Sequence, residues 1–254
     1  MIEIRRVGHD IYAQRGNISM RIRGTIAGLL LMCSLHAETI EGTIVIRKQL
    51  TKRRVTAAVP LYERGPGVGL KADSEEDPLA AERARVAIWL EGSGLKASGD
   101  GLETSARIEQ KDRRFVPEIV IIPTGAKVSF PNLDPIFHNV FSLSKPRAFD
   151  LGNYPRGETR TVNFPAPGIV YLNCHLHSNM AATIVVTPNR WNTMGDRAGK
   201  FALNDVPPGE YTLVAWHKTA GFFRQPVRIT AGQDVKTEFL IPLNADGSRL
   251  RPDK

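Results

Sequence analysis

The sequence predicts an all-β protein built from β-sandwiches, and three observations carry that reading. Past residue 37 the chain falls into short runs rich in Val, Ile, Phe and Tyr, separated by Gly, Pro, Asn and Asp. A hydrophobic fraction of 42% over 254 residues is enough to fill packed cores, so wholesale disorder is excluded. Neither heptads nor internal repeats occur, which removes coiled coils and solenoids.

The expected strands, in order, are Thr39–Arg47, Arg85–Glu91, Phe115–Ile122, Lys127–Phe130, His138–Ser142, Thr159–Phe164, Gly168–Cys174, Ala182–Thr187, Lys200–Leu203, Glu210–Lys218, Gln225–Thr230 and Val235–Pro242. One short helix is expected over Leu79–Ala84, with Asp77 as N-cap and Pro78 at its first position. The Gly- and charge-rich stretch Glu63–Glu76 reads as a loop.

Residues 1–37 have a different character. Arg21 and Arg23 precede an apolar run from Ile26 to Leu35, and Leu35-His36-Ala37 has the form of a signal-peptidase site, so an exported, periplasmic-type protein cleaved near Ala37 is expected. The residues before Met20 carry no targeting pattern, which makes Met20 a candidate start. The apolar run is shorter than the roughly 20 residues that cross a bilayer, so no membrane span is expected in the mature chain.

Cleavage there would remove five basic and two acidic residues, taking the formal net charge from +8 to +5. No dense Lys/Arg stripe interleaved with aromatics follows, so nucleic acid is not an expected partner. An acidic partner protein is electrostatically compatible, although a solvated surface with a modest surplus explains the charge equally well. Of the two cysteines, Cys33 leaves with the signal and Cys174 remains alone, unable to form an internal disulfide. A lone thiol in an oxidising compartment calls for burial or a metal.

The metal reading has a specific pattern behind it. Cys174, His177 and Met180 stand in Cys-x-x-His-x-x-Met spacing between two expected strands, and His138 opens another. A thiolate, two imidazoles and a weak thioether are the donor set of a mononuclear blue copper site. His175 alternates away from Cys174 and His177 and reads as a solvent-facing or hydrogen-bonded bystander, and His217 reads as structural.

Residues 115–187 resemble the cupredoxins of the plastocyanin and amicyanin type. The likeness rests on Phe115-Val116-Pro117, Gly125-Ala126-Lys127-Val128-Ser129-Phe130, Asn132-x-Asp134, His138-Asn139-Val140-Phe141, and Pro167-Gly168 leading into Cys174. The resemblance implies one type 1 copper held by His138, Cys174, His177 and Met180. It also implies that the Asn139 side chain bonds across to the cysteine-bearing loop, orienting the thiolate from outside the ligand set. The sequence departs from the family where Asn173 replaces the aromatic that often precedes the cysteine, and where neither Leu176 nor Ser178 is proline.

A second block, Asp196-Arg197-Ala198-Gly199-Lys200-Phe201 through Val206-Pro207-Pro208-Gly209-Glu210-Tyr211, resembles the latter half of carboxypeptidase-regulatory or transthyretin-like sandwiches. Glu41–Val45 and Val86–Leu90 could supply the first half. The expected fold class is therefore all-β, a cupredoxin Greek-key β-sandwich plus a second, discontinuous, transthyretin-like β-sandwich. The expected organisation is a signal at 1–37, N-terminal strands of the second sandwich at 38–103, the cupredoxin domain at 104–188, C-terminal strands of the second sandwich at 189–243 and a tail at 244–254. Together the blocks resemble exported plastocyanin-like proteins.

Counting histidines separates carrier from enzyme. The chain after residue 37 has four, His138, His175, His177 and His217. Once a blue site takes two, the rest cannot build a three-histidine type 2 centre or an oxygen-reducing cluster. A binuclear copper loop would need a second cysteine, no His-Glu-x-x-His run suggests catalytic zinc, and phosphate-loop and Gly-x-Ser-x-Gly motifs are absent. The carboxylates Glu75, Glu76 and Asp77 read as solvated surface. The expectation is a non-enzymatic electron carrier whose redox partners dock near His177. The alternatives are a copper-delivery module, or a β-sandwich interaction protein with a vestigial copper site.

Overall fold

The computed structural model of the protein describes residues 38–51, 77–95 and 105–241. The expected signal segment 1–37, the loop Glu63–Glu76 and the tail 244–254 lie outside them. Nearly all the regular structure of the described residues is strand, as the sequence predicts, and no described helix is long and apolar enough to cross a membrane.

The strands are β1 (Glu38–Ile46), β2 (Ala87–Glu91), β3 (Ser105–Arg107), β4 (Glu109–Lys111), β5 (Arg114–Val116), β6 (Ile119–Pro123), β7 (Lys127–Pro131), β8 (His138–Ser142) and β9 (Phe149–Tyr154). They continue with β10 (Thr159–Asn163), β11 (Gly168–Asn173), β12 (Ala181–Thr187), β13 (Asn192–Met194), β14 (Lys200–Val206), β15 (Gly209–His217), β16 (Gly221–Ile229) and β17 (Val235–Ile241). A single short helix, α1 (Ala80–Arg83), precedes β2 among the described residues.

Four sheets, ordered β14-β1-β17, β13-β2-β15-β16, β6-β12-β11-β8-β9 and β10-β7-β3, stack as layers, with β4 and β5 forming a separate hairpin. Three apolar cores join the layers. The first lies between the sheets of β1 and β2 and contains Ile40, Ile44, Ile88, Leu90, Phe201, Leu213 and Phe239. The second lies between the sheets of β7 and β11 and contains Val128, Phe130, Val140, Val170, Leu172 and Ile184. The third, with Ala87, Trp89, Val185, Val214 and Trp216, welds the two inner sheets to each other.

Strand periodicity explains why the inner strands are buried throughout. Successive side chains of a strand point to opposite faces. Along β2, Ile88 and Leu90 therefore enter the first core while Ala87 and Trp89 enter the third, and along β12, Ile184 and Val186 enter the second while Val185 enters the third. Each fully buried large side chain contributes about 1.5–3 kcal/mol.

The first and last described strands meet in one sheet: β1 runs antiparallel to β14 and parallel to β17, strands that follow the central block in sequence. Gly42 makes one of these contacts possible. It stands opposite Phe201, and a Cβ at Gly42 would lie 2.0 Å from the phenyl ring.

The structure corrects the sequence reading at two elements. Phe115–Ile122 is not one strand: it divides at Pro117, which has no N–H for the ladder, into β5 and β6. Asp77 is not the N-cap of α1, and Pro78 is not its first residue. Leu79 occupies the cap position, while the Asp77 carboxylate accepts the Leu79 N–H at 2.9 Å and pairs with Arg83. Four short strands, β3, β4, β9 and β13, carry no run of β-branched residues long enough to stand out in the sequence.

Candidate metal centre

The two strands of the β11–β12 hairpin close on the pair Asn173↔Ala181, so Cys174 to Met180 form the connecting loop. Along β11, Val170 and Leu172 face the second core, and Cys174 continues that parity inward. Along β12, Ala182 and Ile184 face the same core, and Met180 continues their parity from the other side. A hydrogen bond from the Met180 N–H to the His177 carbonyl, 3.0 Å, tightens the turn between them. His138 begins β8 in register with inward-facing Val140 and is fully buried.

The loop and β8 bring three donors together. An imidazole nitrogen from each of His138 and His177 and the sulfur of Cys174 all lie within 4.8 Å of one another. His138 Nδ1 is 3.1 Å from His177 Nδ1, and Cys174 Sγ is 3.9 Å from His177 Nδ1. Three donors around one ion, at about 2.0 Å for imidazole and about 2.3 Å for thiolate, stand roughly 3.5–3.7 Å apart in a trigonal arrangement. The observed separations bracket that spacing, so the residues fit a single soft metal ion. Met180 joins the same core cluster as Cys174 and is 1% exposed.

Burial differs across the set in a way that suits a site at the edge of a sandwich. His138, Cys174 and Met180 are buried, whereas His177 is half-buried. Burial, and after it the positive Arg113 nearby, hold the His177 imidazole below its usual pKa, which leaves it neutral and able to ligate at neutral pH.

A carboxylate orients the buried imidazole. Asp134 Oδ2 lies 2.7 Å from His138 Nε2, and a carboxylate can only accept, so Nε2 carries the proton and Nδ1 turns a lone pair toward Cys174 and His177. Asp134 is itself held by the backbone N–H groups of Asp112 and Arg113, at 2.7 and 2.8 Å. These two residues are the β4–β5 turn, and both have positive φ, as a two-residue hairpin turn requires. Burial pushes the Asp134 carboxyl up, but the Arg113 N–H, His138 and the Asp112 N–H outweigh it, and its pKa falls below the usual value.

Asn139, 1% exposed, reaches the cysteine loop twice. Its backbone N–H donates to Cys174 Sγ at 3.4 Å, and its side-chain oxygen accepts the His175 N–H at 3.4 Å. His175 points to solvent, stacked on Phe141 with ring centroids 3.8 Å apart and planes 5° from parallel. His217 is not part of the cluster: it is buried against Glu82 at 3.1 Å.

Sequence reasoning gave no role to Asp134, Asp150 or the Asp112-Arg113 turn. Asp134 could have been found from its position four residues before His138, within reach of the strand's first side chain. Asp150 carries no such signal, because its strand β9 contains no β-branched residue.

No protein-family model matches the chain, and no curated protein matches it. Solved structures that align with part of it include a reduced Cu(I) form, at pH 4, of an amicyanin mutant, at 15% identity and TM-score 0.31, covering 39% of this chain and 97% of that one. A copper-containing nitrite reductase from Thermus scotoductus SA-01 aligns at 23% identity and TM-score 0.32, over 43% of this chain and 26% of its own. A purple cupredoxin from Nitrosopumilus maritimus aligns at 20% identity and TM-score 0.30, over 32% and 99%.

Proposed function

We propose that the protein is an exported type 1 copper protein that carries single electrons, with His138, Cys174, His177 and Met180 as its ligands. The observation that carries this reading is the convergence of one His138 nitrogen, Cys174 Sγ and one His177 nitrogen within 4.8 Å at the buried end of a sandwich. Copper bound there would supply a one-electron couple, Cu(I)/Cu(II), tuned by a weak thioether contact from Met180.

The chain's own residues prepare for that role. Asp134 fixes the His138 tautomer, and the Asn139 N–H holds the Cys174 sulfur. Strands β8, β11 and β12 anchor the ligand-bearing segments, which limits how far the ligands relax between oxidation states. Leu176, next to His177 in the chain, and Ile136 and Phe137, just before His138, are exposed apolar side chains. Exposed apolar side chains beside the ligand-bearing residues suit transient docking of a redox partner.

Export accords with the signal-like segment and with a lone thiol kept buried. The test is copper titration of the metal-free protein followed by voltammetry. One equivalent giving an intense visible thiolate-to-copper band and a reversible wave supports electron transfer. A colourless protein that binds Cu(I) tightly supports delivery instead.

A further inference from the structure

We propose that Asp150 is a positioning residue for the cysteine-bearing loop, acting through Asn139. The inference rests on the copper reading for its consequence at the metal, and on hydrogen-bond geometry for its mechanism.

Asp150 lies on β9, opposite Phe141 of β8, where the register shifts between Asn139 and Phe141. The irregularity brings its carboxylate against the Asn139 side chain. Asp150 Oδ1 accepts from Asn139 Nδ2 at 2.6 Å and from the Gly152 N–H at 2.8 Å, and Oδ2 stands 3.3 Å from His175 Nε2. The Gly152 bond, then the Asn139 bond, hold the carboxyl below its usual pKa, so it is an acceptor at neutral pH.

An acceptor-only group decides which way the Asn139 amide faces. With Nδ2 committed to Asp150, Oδ1 must turn to the other side, where it accepts the His175 N–H. The same residue gives its backbone N–H to Cys174 Sγ. The path Asp150–Asn139–His175/Cys174 thus joins the edge strand β9 to the thiolate, with Asn139 between the carboxylate and the sulfur. Neutral or apolar replacements that cannot accept leave Asn139 free to rotate, and the loop loses one of its two ties to β8.

Loosening the N–H···S bond returns electron density to the sulfur, which favours the oxidised copper and lowers the reduction potential. Removing the Asp150 charge acts in the opposite direction, so one variant alone is ambiguous. Asp150→Asn removes the charge and keeps an acceptor for Asn139 Nδ2, whereas Asp150→Ala removes both. The difference between the two reports positioning.

The experiment compares wild type, D150N and D150A, with Asp150→Val, which also lacks an acceptor, as replacement should D150A not fold. In the metal-free proteins, hydrogen exchange at the His175 amide is expected to be at least tenfold faster in D150A than in D150N, and D150N to stay within about threefold of wild type, because a hydrogen bond involving a charged or oriented partner is what protects it. In the copper-loaded proteins, D150A is expected to show a lower potential than D150N and a shifted visible band. Equal exchange and equal potentials in D150A and D150N overturn the proposal. Should wild type develop no copper band, the copper reading fails, and the exchange measurement still decides whether Asp150 positions the loop.

Discussion

Asp134 Oδ2 lies 2.7 Å from Nε2 of His138, and this contact decides which nitrogen of a fully buried imidazole faces the cysteine. The carboxylate is placed by the β4–β5 turn, so a hairpin remote in sequence from the Cys174–Met180 loop governs the chemistry of the candidate ligand set.

Asp134→Asn keeps the volume and removes the charge. An amide can present either face to Nε2, so the tautomer is no longer fixed. Copper affinity is expected to fall about 10–100-fold, as for other losses of a partner behind a metal-ligating histidine. Competition against a copper chelator of known affinity measures this, and unchanged affinity would show that Asp134 does not orient a ligand.

Met180→Leu conserves volume and apolarity at a 1% exposed position, so folding is expected to change by less than about 1.5 kcal/mol. The visible band is expected to persist, because the thiolate and both imidazoles remain, while the reduction potential moves with the loss of the thioether. Voltammetry of the loaded variant reads this. A potential equal to wild type argues against an axial role for Met180.

The strand periodicity that predicts the fold also places three of the four candidate ligands. His138, Cys174 and Met180 continue the inward parity of Val140, of Val170 and Leu172, and of Ala182 and Ile184, so alternation alone places their side chains at the second core. His177 is legible only from its spacing after Cys174. What could not be read is what depends on pairing between distant segments. The positions of Asp134 and Asp150 are fixed by a hairpin turn and by an irregular β8–β9 register, neither of which marks the local sequence. The third core was hidden for a related reason. Ile119, Ile121 and Val185 read as ordinary members of apolar strands until a second sheet, bearing Trp89 and Trp216, covers them.

That third core makes the two inner sheets one structural unit. Trp216 is 2% exposed and packs there with Trp89, Val214 and Val185. Trp216→Ala is expected to destabilise the protein by about 3–5 kcal/mol through the cavity it leaves. Urea denaturation followed by circular dichroism checks this. A loss below about 1 kcal/mol would mean that the sheets do not depend on the contact.

Acid is expected to weaken the fold through the buried pair His217 and Glu82. Burial holds the His217 imidazole below its usual pKa of 6.5, against the opposing pull of Glu82, so the folded state keeps it neutral. Burial raises Glu82, but the Thr51 N–H and hydroxyl, then His217 and Arg85, outweigh it, and its pKa lies below 4.5. In both cases the unfolded chain binds more protons, so the stabilisation is complete above the unfolded values and declines on acidification. Melting temperatures of the metal-free protein are expected to fall first below about pH 6.5 and again below about pH 4.5, following those unfolded values. His217→Gln is expected to flatten the upper step and leave the lower one. A melting temperature independent of pH from 7 to 5 would contradict the assignment.

The central claim is that one copper ion is held by His138, Cys174 and His177. An anomalous difference map at the copper edge, from crystals of the copper-loaded protein, tests it most directly. The expected result is one peak within bonding distance of His138 Nδ1, Cys174 Sγ and His177 Nδ1, and no peak at that position in Cys174→Ser crystals soaked with Cu(I) under the same conditions at equimolar metal. A copper-loaded crystal with no peak between these three atoms, or with its peak elsewhere, would contradict the account.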